Sequence, residues 1–169
     1  MNKNNGGSQV STDGSAFQDL MPDNSCFGCG PDNPRGLQIK SYWSGHASNE
    51  AVCEFHGASH HNAGSAKILN GGIIATVMDC HSVITAVAQA YRDAGREIGS
   101  EPKIWYVTGS FELVYKAPAL LDRPVTLRAH VAESTEKKSV VKCELISGDK
   151  VCTTSTMIAV RVPMEWHDV

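Results

Sequence analysis

The chain has 169 residues, of which 41% are apolar and 20% charged, with a formal net charge of −3. These values are ordinary for one globular domain, and the length is enough to bury a core without disulfide or metal support. Because the charge is slightly acidic and the lysines and arginines are scattered, the sequence predicts no nucleic-acid partner.

The first 24 residues are rich in Asn, Ser and Gly and poor in apolar side chains. Such a composition predicts a disordered or loosely packed segment. The segment also lacks the basic and apolar stretches of an export signal, so we expect a cytoplasmic protein whose six cysteines stay reduced. Residues 25–163 are predicted to form the folded domain, and residues 164–169 a C-terminal tail.

Two strands are predicted after a turn-rich segment at 26–36. Alternating residues at 37–43 indicate the first strand, and residues 51–56 its hairpin partner. The aperiodic stretch 57–69 is expected to be a loop.

Cys26 and Cys29, within the turn-rich segment, have the spacing of zinc ligands. No second Cys or His pair follows at ligand spacing, so we interpret the two as buried thiols of a turn. The sequence therefore predicts neither a metal nor a cofactor.

One long helix is predicted from Asn70 to about Ala94, because apolar residues recur with helical spacing and Gly95 follows as a C-terminal cap. The apolar stretch 71–90 approaches the length of a membrane span, but it carries Asp79, His81 and several smaller polar residues. A buried helix of a soluble protein explains this pattern better, and no membrane span is predicted.

The remainder of the chain predicts four successive antiparallel strands, which are rich in β-branched and aromatic residues and separated by turn residues. They fall at residues 105–116, 125–133, 139–147 and 151–162. The order of elements predicts an α+β domain in which one antiparallel sheet covers one helix.

Asp79 is the only formal charge within 71–90. Burying an unpaired carboxylate costs free energy and Asp is a poor helix former, so this position indicates a functional carboxylate. At about 100° per residue, Asp79 shares one narrow stripe of the helix with Gly72, Thr76 and either Ser82 or Val83. Gly72, Thr76 and Ser82 are therefore candidate substrate-binding residues.

His81 lies about 200° around the helix from Asp79. We interpret it as a packing or interface residue and not as a partner of that carboxylate.

The paired glycines Gly71 and Gly72 begin the helix. They would let a ligand approach free backbone N–H groups, although close helix–sheet packing explains them comparably well when they are taken alone. Together with Asp79 they supply the two parts of acyl transfer, an N–H that polarises a carbonyl and a carboxylate that activates water or attacks directly. Gly71 and Asp79 are about 12 Å apart on one helix, so a single thioester cannot contact both. If both act on it, they must come from two helices related by a two-fold axis.

Three segments carry a resemblance to a known family. Together they are similar to the PaaI-like hotdog thioesterases, over about residues 25–163. The segments are Asn70-Gly71-Gly72-Ile73-Ile74-Ala75-Thr76-Val77-Met78-Asp79, Cys26-Phe27-Gly28-Cys29-Gly30 followed by Asn33-Pro34-Arg35-Gly36-Leu37, and Tyr115-Lys116-Ala117-Pro118.

This resemblance implies a hotdog fold, in which a six-stranded antiparallel sheet wraps a long central helix. It also implies homodimers, which can assemble into tetramers as dimers of dimers, and hydrolysis of acyl-CoA without metal. Asp79 would be the base or nucleophile, Gly71 the N–H donor to the carbonyl, and Thr108 a neighbour of the attacking water.

The polar residue that assists the carbonyl or water in the family corresponds to the loop of His60, His61 and Asn62. Asn70 stands where the family usually has His, and it can still cap the helix and donate a hydrogen bond. Two alternatives stay open. Asn70 would suit an acyl-CoA-binding protein without activity, and the fold also hosts acyl-thioester hydratases and dehydratases, although their histidine motifs are not found in the sequence.

Overall fold

The computed structural model describes residues 14–45 and 48–166. It contains one α-helix, α1 (Gly71–Asp93), and six strands among these residues. The strands are β1 (Ser41–Trp43), β2 (Glu50–Phe55), β3 (Trp105–Tyr115), β4 (Val125–Ser134), β5 (Lys138–Ser147) and β6 (Lys150–Val162). Short 3₁₀ helices lie at Phe17–Leu20, Ser59–His61 and Met164–Trp166.

The strands form one antiparallel sheet in the order β1-β2-β4-β5-β6-β3. One face of the sheet packs against α1, as the predicted hotdog fold requires. Alternating side chains of the strands supply this face, and the apolar face of α1 completes the core. Its largest buried members include Met78, Tyr91, Leu127, Leu145 and Met157.

The ends of α1 follow from capping chemistry. At the start, the Asn70 side chain accepts hydrogen bonds from the N–H groups of Gly72 and Ile73 at 2.7 and 3.3 Å. At the end, Gly95 adopts a φ of +64°, which glycine tolerates best. By length and composition alone α1 could cross a membrane, yet most of it is buried against the sheet.

The four strands after the helix are confirmed within about one residue of their predicted ends. The first strand is shorter than predicted and begins at Ser41. Gln38 has a φ of +49°, and the N–H groups of Leu37 and Ile39 donate to the carbonyls of Phe27 and Gly28. The backbone of Leu37 and Ile39 therefore bonds to the preceding turn, which delays the start of the strand.

Residues 14–24 correct the prediction of a loosely packed N-terminal segment. Phe17, Gln18 and Met21 are buried, and the Phe17 ring lies 5.0 Å from that of Trp43, centroid to centroid. The low apolar content of the whole segment gave no sign that these few side chains are buried. Residues 1–13 lie outside the described residues, as do residues 167–169 of the predicted tail.

His81 is the centre of a buried polar network and is 0% exposed. One ring nitrogen, Nε2, lies 3.2 Å from the Ala51 carbonyl, which can only accept, so Nε2 carries the proton. The other, Nδ1, accepts from the Ser41 hydroxyl at 2.9 Å, and Ser41 accepts in turn from Gln18. This network confirms His81 as a packing residue.

Candidate functional site

Asp79 lies in the first half of α1, as its ninth residue, and contacts β3. Its Oδ1 accepts a hydrogen bond of 2.7 Å from the Thr108 hydroxyl. Its Oδ2 has no hydrogen-bond partner within the described part of the chain, which leaves one oxygen free to bind a proton or a water. The structure therefore brings together two of the predicted site residues, Asp79 and Thr108.

Thr108 is aimed at Asp79 by an irregularity in β3. Thr108 pairs with Ala159 and Ser110 with Ile158, so Gly109 is an extra residue that forms a β-bulge. A Cβ at Gly109 would lie 2.6 Å from the Val160 side chain, so the bulge needs glycine here. Gly109 is not among the residues predicted from the sequence, although a lone glycine inside a strand pattern is a recognised signal of a bulge.

Burial raises the pKa of the Asp79 carboxyl above its ordinary value. The hydrogen bond from Thr108 acts in the opposite direction, and the negative charge of Cys26 adds to the increase. A desolvated carboxylate is a better proton acceptor than one in water, which suits a general base.

A cavity of about 230 Å³ opens beside Asp79. Asp79 and Thr108 line it together with apolar side chains, of which the largest come from α1 and β3: Val83, Ile84, Val87, Trp105 and Tyr106. The Cys26–Cys29 turn forms the opposite wall. The cavity therefore combines a reactive carboxylate with a mostly apolar lining.

The start of α1 forms a second cluster of polar groups. Because the Asn70 side chain caps Gly72 and Ile73, the Gly71 N–H keeps no acceptor among residues 14–45 and 48–166. The Tyr115 hydroxyl donates to the Gly71 carbonyl at 2.8 Å and ties the end of β3 to this helix start. Such a free N–H at the positive end of a helix can bind a carbonyl oxygen.

The loop of His60, His61 and Asn62 lies against the same helix start. The Asn70 N–H donates to the His61 carbonyl, and Asn62 bridges to Leu69. His61 stacks on Phe55 and accepts the Ala58 N–H at Nδ1. The pKa of His61 is lowered by burial and by the neighbouring charge of His60. The structure therefore brings this loop to Gly71 and not to Asp79.

The candidate residues thus fall into two groups on one chain. Asp79 and Thr108 form the carboxylate group, and Gly71 with the loop of His60, His61 and Asn62 forms the helix-start group. About 12 Å of helix separates them. Asp79, Gly71 and Thr108 lie on α1 and β3, which are rigid elements as a pre-organised site requires, whereas residues 60–62 lie in the loop before α1.

The stripe of substrate-binding candidates is only partly as predicted. Gly72 is exposed and Thr76 half-buried, and the Thr76 hydroxyl donates to the Gly72 carbonyl. Ser82 is 0% exposed, so its prediction as a substrate-binding residue is wrong. Three residues complete only about 300° of helix, which turns Ser82 toward the core, whereas Val83 stays at the cavity.

A larger groove of about 500 Å³ lies elsewhere, on the side of the sheet where the charged residues of β3, β4 and β5 project. Glu50, Glu112 and Glu144 line it with Arg128 and Lys142. Neither candidate group reaches this groove, so its size does not make it the reactive site.

The sequence profile of the thioesterase superfamily matches residues 66–153, which include α1 and all of β3, β4 and β5. The match covers more than half of the 169 residues. The chain belongs to the thioesterase superfamily. No curated protein matches it.

Solved structures share the fold across most of the chain. A thioesterase superfamily protein from Shewanella loihica is 29% identical, with a TM-score of 0.59 over 74% of this chain and 91% of its own. The PaaI protein of the Escherichia coli phenylacetic acid degradation operon is 14% identical, with a TM-score of 0.60 over 75% and 81% of the two chains. Mouse thioesterase superfamily member 2 is 18% identical, with a TM-score of 0.61 over 85% and 93%. The fold is that of the PaaI-like hotdog proteins.

Proposed function

We propose that this thioesterase hydrolyses acyl-CoA to a free acid and CoA, with Asp79 as base or nucleophile. The observation that carries the proposal is the Asp79–Thr108 pair at an apolar cavity, with one carboxylate oxygen left free. A half-buried carboxylate that has no ion-pair partner among the described residues has a functional explanation in a thioesterase.

As a base, Asp79 would take a proton from water while the water oxygen attacks the thioester carbonyl carbon. The C–S bond then breaks, and the CoA sulfur leaves as a thiolate that takes up a proton. Thr108 would hold the carboxylate in the required orientation through its hydrogen bond. As a nucleophile, Asp79 would attack the carbonyl itself and water would hydrolyse the resulting anhydride.

The carbonyl oxygen needs a donor, and the Gly71 N–H is the candidate that lies at a helix start. Since one thioester cannot reach Gly71 and Asp79 of one chain, the donor would come from a second copy. The edge strand β3 offers a surface for such a copy, because no described strand pairs with its outer side and it exposes Val114 and Tyr115 by 49% and 53%. A homodimer is therefore part of the proposed mechanism, and a tetramer would be a pair of such dimers.

The cavity supports an apolar acyl group. Its lining includes Val83, Val87 and Trp105, which would contact the acyl group. No cationic side chain from the described residues lines it. A terminal carboxylate on the acyl group would be buried without a partner and close to Asp79. We expect simple aliphatic or aromatic acyl-CoA to be preferred over dicarboxylic acyl-CoA.

The test is thiol release from a panel of acyl-CoA esters with matched chain lengths, such as butyryl-CoA against succinyl-CoA and hexanoyl-CoA against adipoyl-CoA. We expect the apolar member of each pair to have a kcat/KM at least about tenfold higher, because no carboxylate is buried. The same panel with Asp79→Asn gives the background rate. Binding of acyl-CoA without thiol release would favour the non-catalytic alternative.

The shared site is tested by mixing two inactive variants. A mixed dimer of Asp79→Ala and Gly71→Pro would contain one site with both residues intact and one site without either. Up to about half of the wild-type rate should return in isolated mixed dimers. Gly71→Ala is the matched control, since a Cβ there meets Tyr115 only at 3.6 Å and the N–H is kept. Inactive mixed dimers with both variants folded would contradict a shared site.

A further inference from the structure

Three cysteine sulfur atoms converge where the 24–30 segment meets α1. The Sγ atoms of Cys26, Cys29 and Cys80 all lie within 4.8 Å of one another, and Cys26 and Cys80 are 3.6 Å apart. Cys26 is exposed, whereas Cys29 and Cys80 are buried. The proposed hydrolysis uses none of these thiols.

The backbone is shaped to bring the sulfurs together. A Cβ on Gly28 would collide with the Cys80 Sγ, and a Cβ on Gly30 would collide with the backbone of Asn24 and Cys26. The Gly30 N–H donates to the Cys26 carbonyl and closes the turn. Both glycines are therefore required for the close approach of this turn to α1.

The spacing of the sulfur atoms fits a shared ion better than a disulfide. Zinc held tetrahedrally by thiolates, with Zn–S bonds of about 2.3 Å, places neighbouring sulfurs about 3.8 Å apart. Cys26 and Cys80 are already close to that separation. A disulfide would join two of the sulfurs and leave the third thiol beside it without a role.

Hydrogen-bond donors surround the sulfurs as they do in a thiolate site. The Asn24 side chain accepts the Cys26 N–H and donates to the Cys29 Sγ at 3.8 Å. The backbone N–H groups of Cys29 and Gly28 point at the Cys26 sulfur. Such donors stabilise negative sulfur and orient the ligands of a metal.

We propose that Cys26, Cys29 and Cys80 bind a Zn²⁺ ion that fastens the 24–30 turn to α1. No fourth Cys, His, Asp or Glu among the described residues joins the cluster, so water from the adjoining cavity completes the tetrahedron. The ion would hold in place a turn whose residues line the cavity together with Asp79. Sequence spacing did not reveal this ligand set, because Cys80 lies 54 residues after Cys26.

The experiment measures metal content in the full chain, produced in zinc-supplemented cells and purified with a reducing agent but no chelator. Elemental mass spectrometry should find about one zinc ion per chain in the wild type. The Cys26→Ser and Cys80→Ser variants should each fall below about a tenth of that value. Cys152→Ser is the matched control, because Cys152 is a buried thiol that donates to the Pro118 carbonyl, as a serine hydroxyl can.

Two further measurements keep the proposal falsifiable if Cys80→Ser does not fold. Cobalt added to metal-free wild type should give thiolate charge-transfer and tetrahedral absorption bands, which Cys26→Ser should lack. Removing zinc should lower the melting temperature of the wild type but not of Cys26→Ser.

A wild type with less than about a tenth of a zinc per chain and no cobalt bands would overturn the proposal. So would a Cys26–Cys80 disulfide in the reduced preparation, or stoichiometric iron or copper in place of zinc. Because zinc is measured directly, these outcomes are independent of whether the protein hydrolyses acyl-CoA.

Discussion

Asp79 and His81 are two positions apart on α1, yet their surroundings differ in every respect that matters for function. His81 is fully buried, and both ring nitrogens have defined partners in Ala51 and Ser41. Asp79 is half-buried beside a cavity and has one defined partner, Thr108. A polar residue that stabilises the fold has all its hydrogen bonds made, whereas a reactive one keeps an atom for the substrate.

The first prediction separates the two residues by activity. Asp79→Asn should lower kcat by about 10² to 10⁴-fold, because the base or nucleophile is lost while the shape is kept. Its free energy of unfolding should change by less than about 1 kcal/mol, since Asn can still accept from Thr108. Thiol-release kinetics and urea unfolding measure the two quantities. Hydrolysis close to the wild-type rate would remove Asp79 from the mechanism.

The second prediction is that a change at His81 lowers stability and leaves activity nearly unchanged. His81→Ala should lower the free energy of unfolding by about 3 kcal/mol, because it leaves a cavity and two buried polar groups without a partner. Activity per folded chain should stay within about threefold of the wild type, as no reacting group is removed. His56→Gln is the control, since the His56 side chain is 70% exposed. A stability loss no larger than that of the control would contradict the network.

The third prediction concerns pH. Burial lowers the pKa of His81 from 6.5 to about 4. Between these values the unfolded chain binds a proton that the folded chain does not, so stability is complete above the higher value and decreases as the pH falls toward the lower one. The difference should reach about 3 kcal/mol at pH 4. Urea unfolding of the wild type and of His81→Gln between these pH values measures this contribution as the difference between their free energies of unfolding. Parallel pH profiles of the two proteins would contradict the prediction.

The smallest effect should come from Thr108. Removing its hydroxyl in Thr108→Val should lower kcat by about tenfold through loss of the hydrogen bond that orients Asp79, with a smaller change in KM. Thr108→Ser, which keeps the hydroxyl, should restore most of the rate. If the serine variant were as slow as the valine variant, packing at β3 and not the hydrogen bond would be responsible.

The fold was predictable because its signals are local and repeated. Helical periodicity, the Asn70 and Gly95 caps and four alternating strands each depend on near neighbours in sequence. The burial of Phe17 and Gln18 was not predictable, because two buried side chains do not change the average composition of a polar segment. Asp79 was predicted as a functional carboxylate because a lone charge in an apolar helix is conspicuous.

The remaining site features depend on contacts between distant segments. A lone glycine in a strand pattern signals a bulge at Gly109, but the register shift that turns Thr108 follows from the pairing of β3 with β6. The third sulfur of the cysteine cluster comes from the helix, and the inward turn of Ser82 depends on the face that the sheet covers. Such relations follow from tertiary packing, which spacing along one chain does not encode.

The two edges of the sheet have unequal capacity to recruit another chain. At one edge β1 has three residues and is held by Gln18 of its own chain. At the other, β3 has eleven residues and an open side. A short, covered edge gives an incoming strand little to bond to. Strand pairing along β3 would therefore occupy the one long open edge that the described strands leave on each copy, so the joined sheet would stop at two copies and would not extend into a filament.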